Sequence, residues 1–223
     1  MKKLIAIVAA FTFGMLVTQA NAGFGVGVSA AYMNIEGDGN EVDSNASSVT
    51  TKGSASNSVP IGSVFAEYSL GNFPLTIGFD WIPTSADVSD GVKTRTDIET
   101  SVTGTATSTS ATRSQKAQAE IDDHKTLYVE VPIWNSLYVK AGLIEMDVNT
   151  TESLGTGSSY GNVTVDGEMY GVGIKGPIGG GNMFMKLEGL VSTYDTIKLT
   201  SGTNTITADL DTTSVKASVG FAF

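Results

Sequence analysis

A chain of 223 residues with no cysteine, one histidine, 26 glycines and a formal net charge of -10 is expected to fold as one domain. It has no disulfide and no thiol chemistry, a lone histidine leaves no basis for a zinc or di-histidine site, and no cofactor is expected. An acidic balance without a basic stripe excludes nucleic acid as a partner.

The chain opens with MKKLIAIVAAFTFGMLVTQANA: Lys2 and Lys3, an apolar run from Leu4 to Val17, then Ala20-Asn21-Ala22. This is the layout of a secretory signal peptide, expected to be cleaved after Ala22. Gln19 and Asn21 interrupt the run before the roughly 20 apolar residues that a spanning helix needs. Removing residues 1–22 takes away two lysines and no acid, so the charge moves from -10 to -12. No later apolar run approaches helical spanning length, so the remaining 23–223 domain is either soluble or crosses a membrane by strands.

From Phe24 onward, alternation with period two recurs and helical periodicity does not. Phe24, Val26, Val28, Ala30 and Tyr32 share one side of a first strand, and Val64, Ala66, Tyr68 and Leu70 share one side of a second, opposite Ser63, Phe65 and Glu67. Leu75, Ile77, Phe79 and Trp81 mark a third, and Leu127, Val129, Val131 and Ile133 a fourth. Leu137, Val139, Ala141 and Leu143 mark the fifth, Tyr170, Val172 and Ile174 the sixth, and Met183, Met185, Leu187 and Val191 the seventh. The eighth is SVKASVGFAF, in which Val215, Ala217, Val219, Phe221 and Phe223 alternate and Lys216 takes the opposite phase.

The connections alternate too. GNFP, WNS and PIGGGN are short turns, whereas EGDGNEVDSNASSVTTKGSASN, the Thr/Ser-rich stretch after Asp87, DVNTTESLGTGSSYGN and YDTIKLTSGTNTITADLD are expected as long polar loops. Short turns at one end, long loops at the other and strands of about ten alternating residues predict an all-β, eight-stranded antiparallel up-and-down transmembrane β-barrel. A soluble lipocalin-like barrel would carry Lys and Glu densely on its exterior, but here the second face is mostly Gly, Ser, Thr and Ala, a poor soluble surface. Tyr68, Trp81, Trp134, Tyr138 and Phe223 lie near strand ends, as interfacial aromatics do, although Tyr138 has inward parity and counts less.

Glu67, Asp80, Glu130, Lys140, Lys175, Lys186, Glu188 and Lys216 all fall in the phase of the small face. A lysine at the bilayer midplane costs about 2–4 kcal/mol, so these charges are expected to face a lumen. Charge buried there must be paired. A three-residue turn Trp134-Asn135-Ser136 would set Glu130 opposite Lys140, and Glu67 and Asp80, diagonal neighbours, would draw lysines from other strands into a wider network.

On these residues the sequence resembles the small eight-stranded outer-membrane proteins: the OmpA transmembrane domain, OmpX and the opacity-type proteins. Phe223, with Phe221, Val219, Ala217 and Val215 alternating behind it, resembles the C-terminal signal read by the barrel-assembly machinery. The resemblance implies a monomer in the cell outer membrane, with outer-membrane lipid and lipopolysaccharide around it and the assembly machinery as its partner during insertion. Unlike full-length OmpA, the chain ends at the barrel, and no peptidoglycan-binding domain is expected.

Three stretches suggest chemistry. DDHK, Asp122 to Lys125, sets the only histidine beside two acids, but no companion serine or acid is fixed by sequence, and a solvated junction between loop and strand is expected rather than a catalytic group. EGDGNEVD offers Asp38, Asn40 and Asp43 as oxygen ligands for calcium, with a spacing that departs from the EF-hand loop; a hydrated acidic loop is expected. Gly25 and Gly27 are no nucleotide fingerprint, since no helix follows. Val92 to Gln118 either prolongs two strands as a protruding hairpin, whose edge could accept a partner strand, or is mobile. The reading is a structural or surface-interaction protein acting through extracellular loops on a ligand or phage. A narrow pore, with room left by Gly25, Gly27, Gly78, Gly142, Gly171, Gly173 and Gly220, is the alternative, and an enzyme at the barrel rim ranks behind both.

Overall fold

The computed structural model describes residues 23–43, 49–71, 73–103, 107–153, 159–179, 181–202 and 204–223. The signal segment and its cleavage position at Ala22 lie outside the described residues. The strands are β1 (Gly23–Asp43), β2 (Val49–Leu70), β3 (Leu75–Ile82), β4 (Ala86–Asp87), β5 (Lys93–Thr103), β6 (Thr107–Trp134), β7 (Leu137–Ser153), β8 (Val163–Pro177), β9 (Met183–Tyr194), β10 (Ile197–Ser201) and β11 (Asn204–Ala222).

Antiparallel pairing runs β1-β2-β3-β6-β7-β8-β9-β11, and β11 pairs back onto β1 from Gly25↔Ala222 to Asp43↔Asn204, closing a ring of eight strands. β3, β4 and β5 follow one another along β6, with Ile82 beside His124, Ala86 beside Ile121 and Lys93 beside Ala117. Pro83 follows β3 and cannot donate to a ladder, which accounts for the break. β10 pairs with β11 above the ring, Ile197 beside Ala208. Among the described residues no helix is long and apolar enough to cross a membrane.

Around the lower part of the ring the exterior is apolar. Val28 and Tyr32, Val64, Trp81, Ile133, Leu143, Val172, Met185 and Val215 are all exposed, so every wall strand contributes. On β11 this face runs from Val215 to Phe223, about 20 Å across a bilayer at roughly 3.4 Å per residue and a tilt of about 40°. Tyr32, Trp81 and Tyr170 border it on one side and Phe73, Trp134 and Phe223 on the other, each exposed. Tyr138 does not join them: its ring is buried inside the barrel.

Above the upper aromatic border the pattern inverts. Ile35, Ile121, Met146, Val148, Val165, Ile197, Leu199 and Leu210 form a buried core within the cylinder, while Glu36, Asp38, Asp166, Glu168, Asp209 and Asp211 are exposed outside. Fully burying each such aliphatic chain is worth roughly 1.5–3 kcal/mol in water. The expected long loops are therefore largely strand: β1 and β2 continue to Asp43 and from Val49, β7 runs to Ser153, and Ile197–Ser201 pairs with β11. On β1, β7, β8 and β11 the period of two continues there, and it is interrupted at the Asp123 bulge of β6 and between β9 and β10. The apolar residues merely exchange faces, which is what a wall leaving hydrocarbon for water requires. The Thr/Ser-rich stretch is the hairpin of β5 and β6, paired from Lys93↔Ala117 to Thr103↔Thr107.

The turn between β6 and β7 also differs from expectation. Trp134 pairs with Leu137 across two residues, Asn135 in the left-handed region at φ 43°, and a bulge lies between Pro132 and Trp134. The bulged Ile133 restores the parity that the shorter turn would have lost, so Glu130 still stands opposite Lys140.

Candidate functional site: the charged lumen and the outer rim

Glu67, Asp80, Glu130, Lys140, Lys186, Glu188 and Lys216 are buried inside the barrel, and Lys175 sits beside them at the mouth on the short-turn side. Lys186 Nζ lies 2.9 Å from Glu67 and 2.7 Å from Glu130, and Glu67 also holds Lys175. Lys140 Nζ is 2.8 Å from Glu188 and 3.5 Å from Glu130. Tyr138 Oη donates to Glu188 at 2.8 Å. On the far side Lys216 pairs with Asp80, which also accepts from Ser63 Oγ at 3.1 Å.

Glu130 and Lys140 are thus opposed in register, yet each makes its shorter contact across the lumen, to Lys186 and to Glu188. In a narrow cylinder a long side chain directed inward reaches a strand opposite as readily as its ladder neighbour. Lys175 and Lys186 stand directly opposite one another on β8 and β9, where like charges repel, and Glu67 between them removes the conflict.

Aromatic rings fill the space beside the charges. Each lies across the ladder from a glycine: Phe65 from Gly27, Tyr128 from Gly78, Tyr138 from Gly173 and Phe184 from Gly220. A Cβ on Gly78 would come within 2.1 Å of the Tyr128 ring, and one on Gly27 within 2.4 Å of Phe65. Of the glycines considered as a source of open bore, Gly27, Gly78, Gly173 and Gly220 are covered by rings, Gly25 by Glu67 and Phe184, Gly142 by Thr126 and Met169, and Gly171 by Leu190. Lysines lie over those rings in turn, Lys140 Nζ 3.7 Å from the Tyr128 centroid and Lys186 Nζ 4.7 Å from that of Phe65, contacts that add favourably to the ion pairs. Sequence reasoning missed this packing, although the signal was present: Phe65, Tyr128, Tyr138 and Phe184 all share the charged phase.

His124 is not solvated. It is buried inside the barrel, with Nε2 3.1 Å from Tyr194 Oη. Asp123, in the left-handed region at φ 49°, forms the bulge that turns the neighbouring acids away. Asp123 accepts from Trp81 Nε1 at 3.0 Å and holds Lys125, while Asp122 caps the Asp123 amide at 2.8 Å. The acids of DDHK thus anchor an interfacial tryptophan, and none of these hydrogen bonds goes to the imidazole.

Asp38 and Asn40 lie on β1, in extended strand rather than in a loop, and Asp43 ends that strand at the opposite parity. Among the described residues no group of three His, Asp or Glu converges as metal ligands. At the top of the apolar core, Tyr160 Oη donates to Glu41 at 2.8 Å and the Tyr160 amide to Glu152 at 2.6 Å. Burial pushes the Glu152 carboxyl up, but hydrogen bonds from the Tyr160 amide, Thr150 and Ser159 outweigh it and hold the group below its ordinary value.

Val215, Ala217, Val219 and Phe221 face outward on β11, and the Phe223 amide donates to the Phe24 carbonyl at 2.8 Å. The Phe223 ring packs 5.9 Å from Phe24 and 5.2 Å from Phe221, so the chain terminus closes the seam between first and last strands.

In topology the chain is similar to small outer-membrane barrels. One is Ail, the attachment invasion locus protein of Yersinia pestis, solved with the heparin analogue sucrose octasulfate: 10% identity, 92% of this chain and 100% of that one covered, TM-score 0.42. Neisserial surface protein A matches at 13% identity over 90% of this chain and 97% of its own, TM-score 0.39. The outer membrane protease OmpT from Escherichia coli matches at 9% identity over 93% and 99%, TM-score 0.47. At these identities the likeness is one of fold alone. No protein-family model and no curated protein matches the chain.

Proposed function

We propose that residues 1–22 export the chain and are removed after Ala22, and that 23–223 then resides in the outer membrane as a non-catalytic, closed barrel whose outer rim is a contact surface. The inversion of the exterior, apolar up to Tyr32, Trp81 and Tyr170 and acidic beyond them, carries this reading. A wall with greasy residues outside and ion pairs inside is stable only in hydrocarbon, and its upper half is stable only in water. The eight lumen charges serve packing and specificity of the closed cylinder, and Val215 to Phe223 serve as the insertion signal.

The rim offers unpaired strand edges. Among the described residues β5 pairs with β6 alone, and β2 above Val64 pairs with β1 alone, which leaves two strand edges without a ladder partner among those residues. Asn57 Nδ2 of β2 donates to the Asp87 carbonyl of β4 at 2.8 Å. Such edges suit an extended polypeptide added as a strand. The surrounding acids, Glu36, Asp38, Asp209 and Asp211 among them, disfavour a sulfated polyanion of the kind bound to Ail.

Since the chain has no cysteine, single thiols test the reading on intact cells. Thr94→Cys on the hairpin should react with a membrane-impermeant maleimide, and Asn182→Cys at the short-turn end only after the outer membrane is permeabilised. Equal labelling of both on intact cells would overturn the proposed location or orientation.

A further inference from the structure

Among the described residues, His124 Nδ1 and Tyr128 Oη lie inside the barrel without a hydrogen-bond partner and fully shielded from solvent, as does Glu188 Oε2 lower in the ion-pair network. The His124 and Tyr128 side chains line one internal cavity of about 30 Å³, between the ion-pair network below and the apolar core above, together with Ser63, Asp80, Ser214 and Lys216. A buried imidazole nitrogen or phenol left without a hydrogen bond pays its full desolvation penalty with nothing to offset it. A water molecule needs at least about 10–15 Å³ of such space and two to four polar partners. The cavity therefore has the size and the lining for one water, or at most two.

We propose that this cavity is a permanent hydration site, occupied by a water that accepts from the Tyr128 hydroxyl and donates to His124 Nδ1. The second role follows from the imidazole's other nitrogen. Nε2, 3.1 Å from Tyr194 Oη, carries the proton when it donates there, and a neutral ring then presents Nδ1 as a bare acceptor. Tyr194 Oη passes the chain on to Thr212 Oγ1, 3.5 Å away. A cation in the cavity would meet the ammonium groups of Lys140 and Lys216, which also line it. An anion would meet the Asp80 carboxylate, which already neutralises Lys216. A neutral donor-acceptor of one heavy atom fits the remaining requirement. It joins the charged lower lumen to the His124–Tyr194–Thr212 chain, so that polar contacts continue through the layer where the wall passes from lipid to water.

Two measurements test this on the full barrel. In crystals diffracting to about 1.5 Å, one solvent peak should lie at hydrogen-bonding distance from both His124 Nδ1 and Tyr128 Oη. An empty cavity there would overturn the proposal, as would an anomalous peak in it after a bromide soak. In micelles, oxygen-17 relaxation dispersion should count one fewer long-lived water in Tyr128→Phe than in the parent protein. That variant keeps the ring over Gly78 and under Lys140, so the barrel is retained. An unchanged count would overturn the site.

Discussion

Replacing Lys186 by methionine tests the lumen most severely. Its side chain is 1% exposed and its ammonium lies 2.9 Å from Glu67 and 2.7 Å from Glu130, so the change leaves two buried carboxylates short of one cation. Breaking a buried pair by removing one partner costs about 3–5 kcal/mol. Glu67 keeps Lys175 and Glu130 keeps Lys140 at 3.5 Å, which places the expected loss near the lower end, about 3 kcal/mol. Reversible urea unfolding in lipid vesicles, followed by tryptophan fluorescence and by heat-modifiable gel migration, measures it. Lys175→Met is the internal control: that side chain is 29% exposed at the barrel mouth, and its loss should cost no more than about 1 kcal/mol. Lys186→Met combined with Glu67→Gln should recover part of the loss, because the uncompensated charge is gone. If Lys186→Met shifted stability by less than about 0.5 kcal/mol, or by no more than Lys175→Met, the lumen charges would not be the buried network described here.

Other consequences can be measured separately. Gly78→Ala should destabilise the barrel by about 1–3 kcal/mol through overpacking against Tyr128, and Tyr128→Leu in the same chain should relieve most of that; vesicle unfolding of the single and double variants decides it. Planar-bilayer recording should show no steady conductance for the parent protein, since rings and paired charges occupy the bore; an open channel lost on changing Lys140 or Glu130 would contradict this. For Glu152 the depressed carboxyl pKa contributes stability that is complete above the ordinary value of 4.5 and is lost as pH falls through the folded-state value. Amide protection at Tyr160 should accordingly drop in acid, and Glu152→Gln should remove that dependence; a drop that persists in the variant would assign it elsewhere.

The ring itself was legible in the sequence because hydrocarbon outside and paired charge inside impose a period of two on its eight wall strands, interrupted in the apolar band of β6 by the bulge at Ile133. What failed was the assumption that a strand ends where its apolar phase ends. Met33 and Ile35, and Met146 and Val148, continue the period in the opposite phase, and the wall continues with them, whereas Ile197 and Leu199 turn inward after a break at Asp195 and Thr196. The lumen charges could be assigned to a face, since each carries the wrong polarity for lipid, and the expected Glu130–Lys140 ladder pair forms at 3.5 Å, but the shorter contacts across the lumen could not be assigned. Lys140 and Lys186 choose among carboxylates on several strands according to reach across the cylinder, a distance that no local pattern encodes. His124 was misjudged for another reason: it shares the inward phase of Thr126, Tyr128 and Glu130, but the apolar alternation that marks this strand begins only at Leu127, and the left-handed bulge at Asp123, which leaves no periodic trace, redirects only the residues before it.

Site-directed spin labelling tests the two-zone wall most directly. Single cysteines at Val172, Met185 and Val219, outward below the aromatic border, and at Asp166, Asp209 and Asp211, outward above it, would carry nitroxides in lipid vesicles. The first three should collide readily with oxygen and poorly with a water-soluble nickel chelate, and the last three the reverse. If all six labels favoured the chelate, or if the two groups could not be told apart, the barrel would not cross a bilayer as described.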